Sequence, residues 1–229
     1  MIPKVAHFHW ESNPINWLRM HGIYTFARLN PRWKIILHRT PDWMLEKDPR
    51  MFYCHQADYV WIDVLHKEGG FAFATDTVFV KPVPDEWLDA DMCICSDGSN
   101  TFSHNSFGSV AGMELLKLCV DSCEETLARP GDLDYQQFGT LLLQSVVATY
   151  GGLDKMREEG YKIFDMPYAA LCPIGWANVE RCWSTEPLEL PDETIGVTWF
   201  GGNSMSRKRE PECSINDNDA IIQLARSVV

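Results

Sequence analysis

The stretch LHKEGGFAFATDTVFVKPV, residues 65–83, decides the fold of this chain. Helix-like sequence ends at Gly69-Gly70, and an apolar run opens at Phe71 with a single acid, Asp76, near its middle. Paired glycines stop helices because they adopt the backbone that closes the last turn. Upstream, Tyr59, Ile62 and Leu65 recur at helical spacing, which predicts a helix over 57–67 with Asp58 at its start. Downstream, a period of two puts Phe71, Phe73, Thr75, Thr77 and Phe79 on one face of a strand. Ala72, Ala74, Asp76, Val78 and Val80 take the other. A carboxylate beside two alanines suits a pocket floor, where small side chains leave room for a flat ligand. An acid capping a turn near Lys81-Pro82 fits the same letters, so this stretch alone leaves both readings open.

Working outward, residues 4–10 (KVAHFHW) alternate as a short strand, with Val5, His7 and His9 on one face. A helix is expected over 15–29, closed by Asn30-Pro31, and the compact apolar run 33–38 (WKIILH) has the pattern of a buried strand. Beyond residue 83 the expectations are a strand at 92–95, a polar loop over 96–106, and a helix near 113–128. A further helix within 132–152, a short strand at 161–164, the strand 195–200 (IGVTWF), the turn 201–204 and a last helix from Asp217 complete the chain. Strands alternating with helices predict an α/β fold, a mostly parallel sheet covered on both sides. At 229 residues, one domain over 1–229 is the expectation.

Composition narrows the function classes. The chain is 45% hydrophobic and 23% charged, a globular balance, with 20 basic against 32 acidic side chains for a net charge of −12. That charge argues against a broad grip on nucleic acid or an anionic membrane surface. The first residues lack the apolar core of a signal peptide, and no run reaches the roughly 18 apolar residues of a membrane span, so a cytoplasmic protein with no membrane span is expected. The eight cysteines include Cys93-x-Cys95 and the helically spaced Cys119 and Cys123. Neither pair has a partner pair at zinc spacing, which favours structural thiols. There is no nucleophile elbow, phosphate loop or dinucleotide fingerprint.

The order of the blocks IPKVAHFHW (2–10), NPRWKIILH (30–38) and ADYVWIDVLHKEGGFAFATDTVFVKPV (57–83), with WFGGNS (199–204) as a weaker match, resembles the DXD-containing glycosyltransferases. That family includes initiating mannosyltransferases, lactosylceramide galactosyltransferases and capsule enzymes. The resemblance implies a GT-A fold, a Rossmann-like sheet that binds a UDP- or GDP-linked sugar and passes the sugar, with retention, to an acceptor glycan or other hydroxyl compound. It also implies a divalent cation, Mn²⁺ or Mg²⁺, between a protein carboxylate and the diphosphate, which is chemistry that hard oxygen ligands suit.

Carried over onto this sequence, Asp58 matches the helix aspartate, Gly69 and Gly70 the double glycine, and Asp76 the second acid of the DXD, the metal ligand. Ala74 stands where the first acid is usual, Ala72 where an aromatic is usual, and Trp61 and Ile62 replace an Arg-Tyr pair. These joint departures fit a changed donor, a changed mode of binding, or a binding protein that has lost transfer. A transferase acting on a DNA base is a further alternative, disfavoured by the acidic charge.

The remaining candidates follow the same frame. Asn203 or Ser204 would offer oxygen to the metal, and Arg207, Lys208 or Arg209 would hold diphosphate oxygens by charge-assisted hydrogen bonds, against the reading of a solvated basic turn. His7 and Trp10 are donor-side contacts, with a satisfied core histidine as the plainer alternative for His7 and His9. Gly70, Ala74 and Thr75 line the same donor segment. Asp97, following the 92–95 strand, sits where a doubly wound sheet exposes ligand contacts. Asp134 and Gln137, with Gln136, are sugar-side or catalytic candidates, although helix capping accounts for Asp134 equally well. Asp89 and Asp91 also spell D-x-D, in the setting of a surface turn.

Overall fold

The computed structural model describes residues 1–11, 14–42, 44, 48, 50–96 and 102–228. Its strands are β1 (Val5–His9), β2 (Lys34–His38), β3 (Gly70–Phe73), β4 (Thr77–Phe79), β5 (Met92–Ser96), β6 (Phe102–Ser109), β7 (Ile163–Pro167) and β8 (Gly196–Thr198). Its α-helices are α1 (Trp17–Leu29), α2 (Tyr53–Glu68), α3 (Asp85–Leu88), α4 (Glu114–Ala128), α5 (Thr140–Tyr150), α6 (Leu153–Glu158), α7 (Ser204–Arg209) and α8 (Ala220–Ser227). The chain forms two compact units, Met1–Glu11 with Lys34–Phe73 and Pro84–Met166, and Ser12–Trp33 with Ala74–Val83 and Pro167–Val229.

The first unit holds a six-stranded sheet of order β2-β1-β3-β6-β5-β7. β1 pairs in parallel with β2 and β3, β6 runs antiparallel to β3, and β5 runs antiparallel to β6. β2, β1, β3 and β5 therefore point one way and β6 is reversed, so the sheet is mostly parallel, as expected. Phe8, Phe71, Phe73 and Phe107 are fully buried, and Phe71 and Phe73 stack with centroids 5.5 Å apart. Each such ring contributes about 1.5–3 kcal/mol through burial.

The double glycine performs the turn that opens this sheet. Gly69 (φ +69°) closes α2 through its N–H to the Leu65 carbonyl, 3.0 Å, and Gly70 (φ +113°) enters β3. A side chain at Gly70 would meet the Val5 carbonyl at 2.6 Å and His7 Nε2 at 2.9 Å, so the position requires glycine for conformation and for space.

In the second unit β4 and β8 form an antiparallel pair. Helix α1 covers β4, with Phe26 edge-on to Phe79 at 4.9 Å, and Thr25 Oγ1 accepts the Phe79 N–H at 2.9 Å. The amphipathic α8 buries Ile221, Ile222 and Ala225.

Several expectations are corrected. The strand from Phe71 does not run through Asp76. It leaves its sheet after Phe73, and Thr77 opens a separate strand paired with β8; between them the Thr75 side chain bonds Arg19 and the Asp76 side chain takes the Gly201 N–H. α2 begins at Tyr53, four residues earlier than expected, which puts Asp58 in its second turn and not at its start. The second half of the segment read as a polar loop, 102–106, belongs to β6, whose buried alternation there is carried by Phe102, His104 and Ser106. Only 140–150 of the expected 132–152 helix is helical, and β2 is a half-exposed edge strand, not a buried one. All eight cysteines are free thiols, and burial pushes Cys119 up to about 12. No helix among the described residues is long and apolar enough to cross a membrane.

Candidate functional site

In the second unit the chain between β3 and β4 turns through Thr75 and Asp76, and the segment after β8 brackets that turn. Trp199 N–H donates to the Asp76 carbonyl at 3.0 Å, and Gly201 N–H donates to Asp76 Oδ2 at 2.6 Å. Phe200 between them is in the left-handed region (φ +49°), an uncommon conformation for a large residue, and it swings the Gly201 amide onto the carboxylate. Two separate backbone amides therefore fix a half-buried acid that the sequence offered only as one letter in an apolar run.

A second carboxylate lies in the same unit. Glu210, 5% exposed, takes Arg19 on both oxygens: Nε on Oε1, and Nη2 on Oε2 at 3.0 Å. Trp199 Nε1 donates to Oε2 at 3.0 Å, and Asn16 Nδ2 donates to Oε1. Arg19 Nη1 reaches Thr75 Oγ1 at 2.9 Å. A side chain at Gly201 would overlap Arg19 Nη2, so the glycine whose N–H holds Asp76 also makes room for the guanidinium.

The two acids are shifted in opposite directions. Burial opposes ionisation of Glu210, but the Arg19 charge, with hydrogen bonds from Arg19, Trp199 and Asn16, holds its carboxyl below the usual range. Burial pushes Asp76 above the usual range, against the lowering effects of Arg19 and the Gly201 amide, and the Glu210 charge adds to the rise. Asp76 is thus the acid whose charge burial opposes.

That is a suitable setting for a cation held by one protein carboxylate, with phosphate and water completing the shell, the usual manner of Mg²⁺. Among the described residues no group of three or more His, Cys, Asp or Glu side chains is placed to hold a metal, so a site closed by protein alone is not formed. Asn203 spends its side chain on structure, Oδ1 capping α7 at Met205 N–H (3.0 Å) and Nδ2 donating to the Trp176 carbonyl (3.3 Å). Ser204, exposed, is the first residue of α7. Arg207 and Lys208 are exposed in its last turn, while Arg209 pairs with Asp219 at 2.6 Å. Ala74 is buried, 6% exposed.

In the first unit the histidines form a chain. His7 Nε2 lies 2.9 Å from the Gly69 carbonyl, so it carries the proton, and Nδ1 then accepts from His38 Nε2 at 2.9 Å. His9 Nε2 meets Thr40 Oγ1 at 3.0 Å. Burial lowers all three, His9 down to about 4. His7 and His9 are buried and hydrogen-bonded, as the plainer of their two readings has it, while His38 is half-buried. Trp10 follows β1, half-buried, its N–H on the His38 carbonyl at 3.0 Å.

A pH dependence follows for His9. The unfolded chain takes up its proton near pH 6.5 and the folded chain only near 4, so stability falls as pH drops through that window and levels off below it. The span corresponds to about 3 kcal/mol. His9→Gln is expected to remove that share of the acid slope in urea midpoints measured from pH 7 to 4. An unchanged slope would contradict the assignment.

Asp58 pairs with a partner that sequence reasoning missed: His104 Nδ1, 3.0 Å from Oδ1. Gly139 admits this carboxylate, since a Cβ there would lie 2.7 Å from Asp58 Oδ2. His104 Nε2 and the indole N–H of Trp61 are both buried without a hydrogen-bond partner among the described residues. The available signal was the alternation of Phe102, His104 and Ser106 inside a polar stretch. Asp134 is exposed and caps no helix. Its N–H donates to Gln137 Oε1 at 3.0 Å and its carbonyl accepts from His55, so Gln137 is tied into its own turn. Gln136 is exposed. Asp91 Oδ2 accepts from Lys162 N–H, in keeping with a structural D-x-D at 89–91. Asp97 lies outside the described residues.

No family model matches the sequence, and no curated protein matches it. The structure superposes on a solved structure described as PaToxG glycosyltransferase with a TM-score of 0.52 at 12% identity, over 69% of this chain and 73% of that one. It also superposes, with a TM-score of 0.49 at 9% identity, on a glycosyltransferase involved in glycosylation of the major capsid of PBCV-1, over 90% and 98% of the two chains. At 12% identity the first likeness establishes the fold, which is of the GT-A type.

Proposed function

We propose that this protein is a metal-dependent glycosyltransferase that moves a sugar from a UDP- or GDP-linked donor to an acceptor hydroxyl with retention at the anomeric carbon. One observation carries the reading. Asp76, the acid matching the last residue of a DXD motif, is pinned by the 199–201 turn with its ionisation opposed by burial, beside a Glu210 that takes Arg19 on both oxygens. The GT-A fold shared with a glycosyltransferase supports it.

In this reading Asp76 holds Mn²⁺ or Mg²⁺, whose contribution is to neutralise charge on the departing diphosphate. The Gly201 amide fixes the orientation of the Asp76 carboxylate. Arg207 and Lys208 hold diphosphate oxygens. The bond from the anomeric carbon to phosphate oxygen breaks, a bond from that carbon to the acceptor oxygen forms on the same face, and the acceptor proton passes to the leaving phosphate. No side chain of the protein is assigned as base.

A second reading, a binding protein that has lost transfer, is favoured by buried Ala74 and Trp61 at positions where the resembling family carries an acid and an arginine. A panel of UDP- and GDP-sugars with Mn²⁺ separates the two. The transferase reading expects hydrolysis or transfer from one donor, together with a raised Tm. Stabilisation without turnover would support the binding protein, and neither response across the panel would contradict both.

A further inference from the structure

We propose that Glu210 is a positioning residue that keeps Asp76 available to a cation by holding Arg19 away from it. This rests on the metal-dependent reading above and adds a residue that the reading does not use.

One guanidinium pairs with Glu210 and also bonds the neighbour of Asp76. Arg19 Nη1 bonds Thr75, the residue next to Asp76, and Nη2 lies against Gly201, whose N–H is 2.6 Å from Asp76 Oδ2. The guanidinium therefore contacts the two residues, Thr75 and Gly201, that flank or hold Asp76, and the Coulomb pull of Arg19 already reaches the carboxylate. What holds it back is the two-pronged pair with Glu210, buried and reinforced on the same two oxygens by Trp199 Nε1 and Asn16 Nδ2. A forked guanidinium–carboxylate pair is the strongest arrangement either partner can make, and indole and amide donors on the carboxylate leave it little freedom to move. Asp76, by contrast, is held through a backbone amide that does not neutralise it. Remove the charge of Glu210 and Asp76 remains an anion on which the Arg19 charge acts. An Arg19–Asp76 pair would occupy the oxygens a divalent ion needs and repel the ion.

The test is Mn²⁺ binding to the full chain without nucleotide, followed by the free-ion electron paramagnetic resonance signal and by water-proton relaxation. Wild type should bind, and Asp76→Asn should not. Glu210→Gln, which keeps the shape and loses the charge, should weaken Mn²⁺ binding by 10-fold or more. Arg19→Met/Glu210→Met, which removes the competing cation together with its holder, should restore binding to within about threefold of wild type. If Glu210→Gln fails to fold, as far-UV circular dichroism would show, the double variant decides: wild-type affinity supports the proposal and loss of binding overturns it. Unchanged affinity in folded Glu210→Gln overturns the positioning role while leaving the metal-dependent reading in place. Absence of Mn²⁺ binding by wild type overturns both.

Discussion

Asp76→Asn is expected to lower sugar transfer by about 10²–10³-fold, the scale of removing a principal stabiliser of developing charge, while leaving the fold intact. The Gly201 amide would still find a carbonyl oxygen on asparagine, so the 199–201 turn should persist. The stability effect has a definite sign. The Asp76 carboxyl is raised above its ordinary range in the folded chain, so ionising it at neutral pH costs folding energy, and a neutral isostere removes that cost. The Tm of Asp76→Asn should match or exceed that of wild type. An active variant, or one with a depressed Tm, would mean that the acid serves structure and not chemistry.

The second large effect concerns the pair behind it. Arg19→Met leaves Glu210 charged, 5% exposed and without its counterion, which is expected to cost about 3–5 kcal/mol in urea unfolding. Glu210→Met in the same background removes the stranded charge and should recover most of the loss, because an apolar pair of similar volume is often no less stable than a buried ion pair. A double variant as unstable as Arg19→Met would show that the hydrogen bonds to Thr75, Trp199 and Asn16, and not the charge balance, hold this part of the second unit.

The α/β class and the turn at Gly69-Gly70 were legible because they rest on local rules: apolar periodicity, and a helix stop that only glycine satisfies. The edges of α1, β2 and α4 fell within two residues of expectation for the same reason. What the sequence did not reveal depends on partners far along the chain. Phe71 to Val80 alternates without interruption, yet one strand ends at Phe73 and another opens at Thr77, and the hydrogen bonds to Asp76 between them come from Trp199 and Gly201, more than a hundred residues later. β6 was obscured because its buried positions include His104 and Ser106, side chains that pattern reading assigns to loops.

The site was legible in its central acid and opaque in its surroundings. Asp76 stood out as a lone carboxylate. Arg19 gave no signal within a helix whose other residues read as ordinary, and Glu210 followed a basic run that drew attention to itself. Glu210 and Arg19 are separated by 191 positions, and no local rule joins them. Asp58 was singled out by resemblance, but its partner His104 lay in the stretch expected to be loop.

The central claim is that the Asp76 carboxylate grips a divalent ion. A crystal structure of the full chain soaked with Mn²⁺ and UDP, read at the manganese anomalous signal, tests it most directly. The account predicts one strong peak within about 2.0–2.3 Å of an Asp76 oxygen, the range for divalent ions on hard oxygen ligands, with diphosphate oxygens on its far side. A peak elsewhere, or nucleotide bound with Arg19 swung onto Asp76 and no metal between, would contradict it.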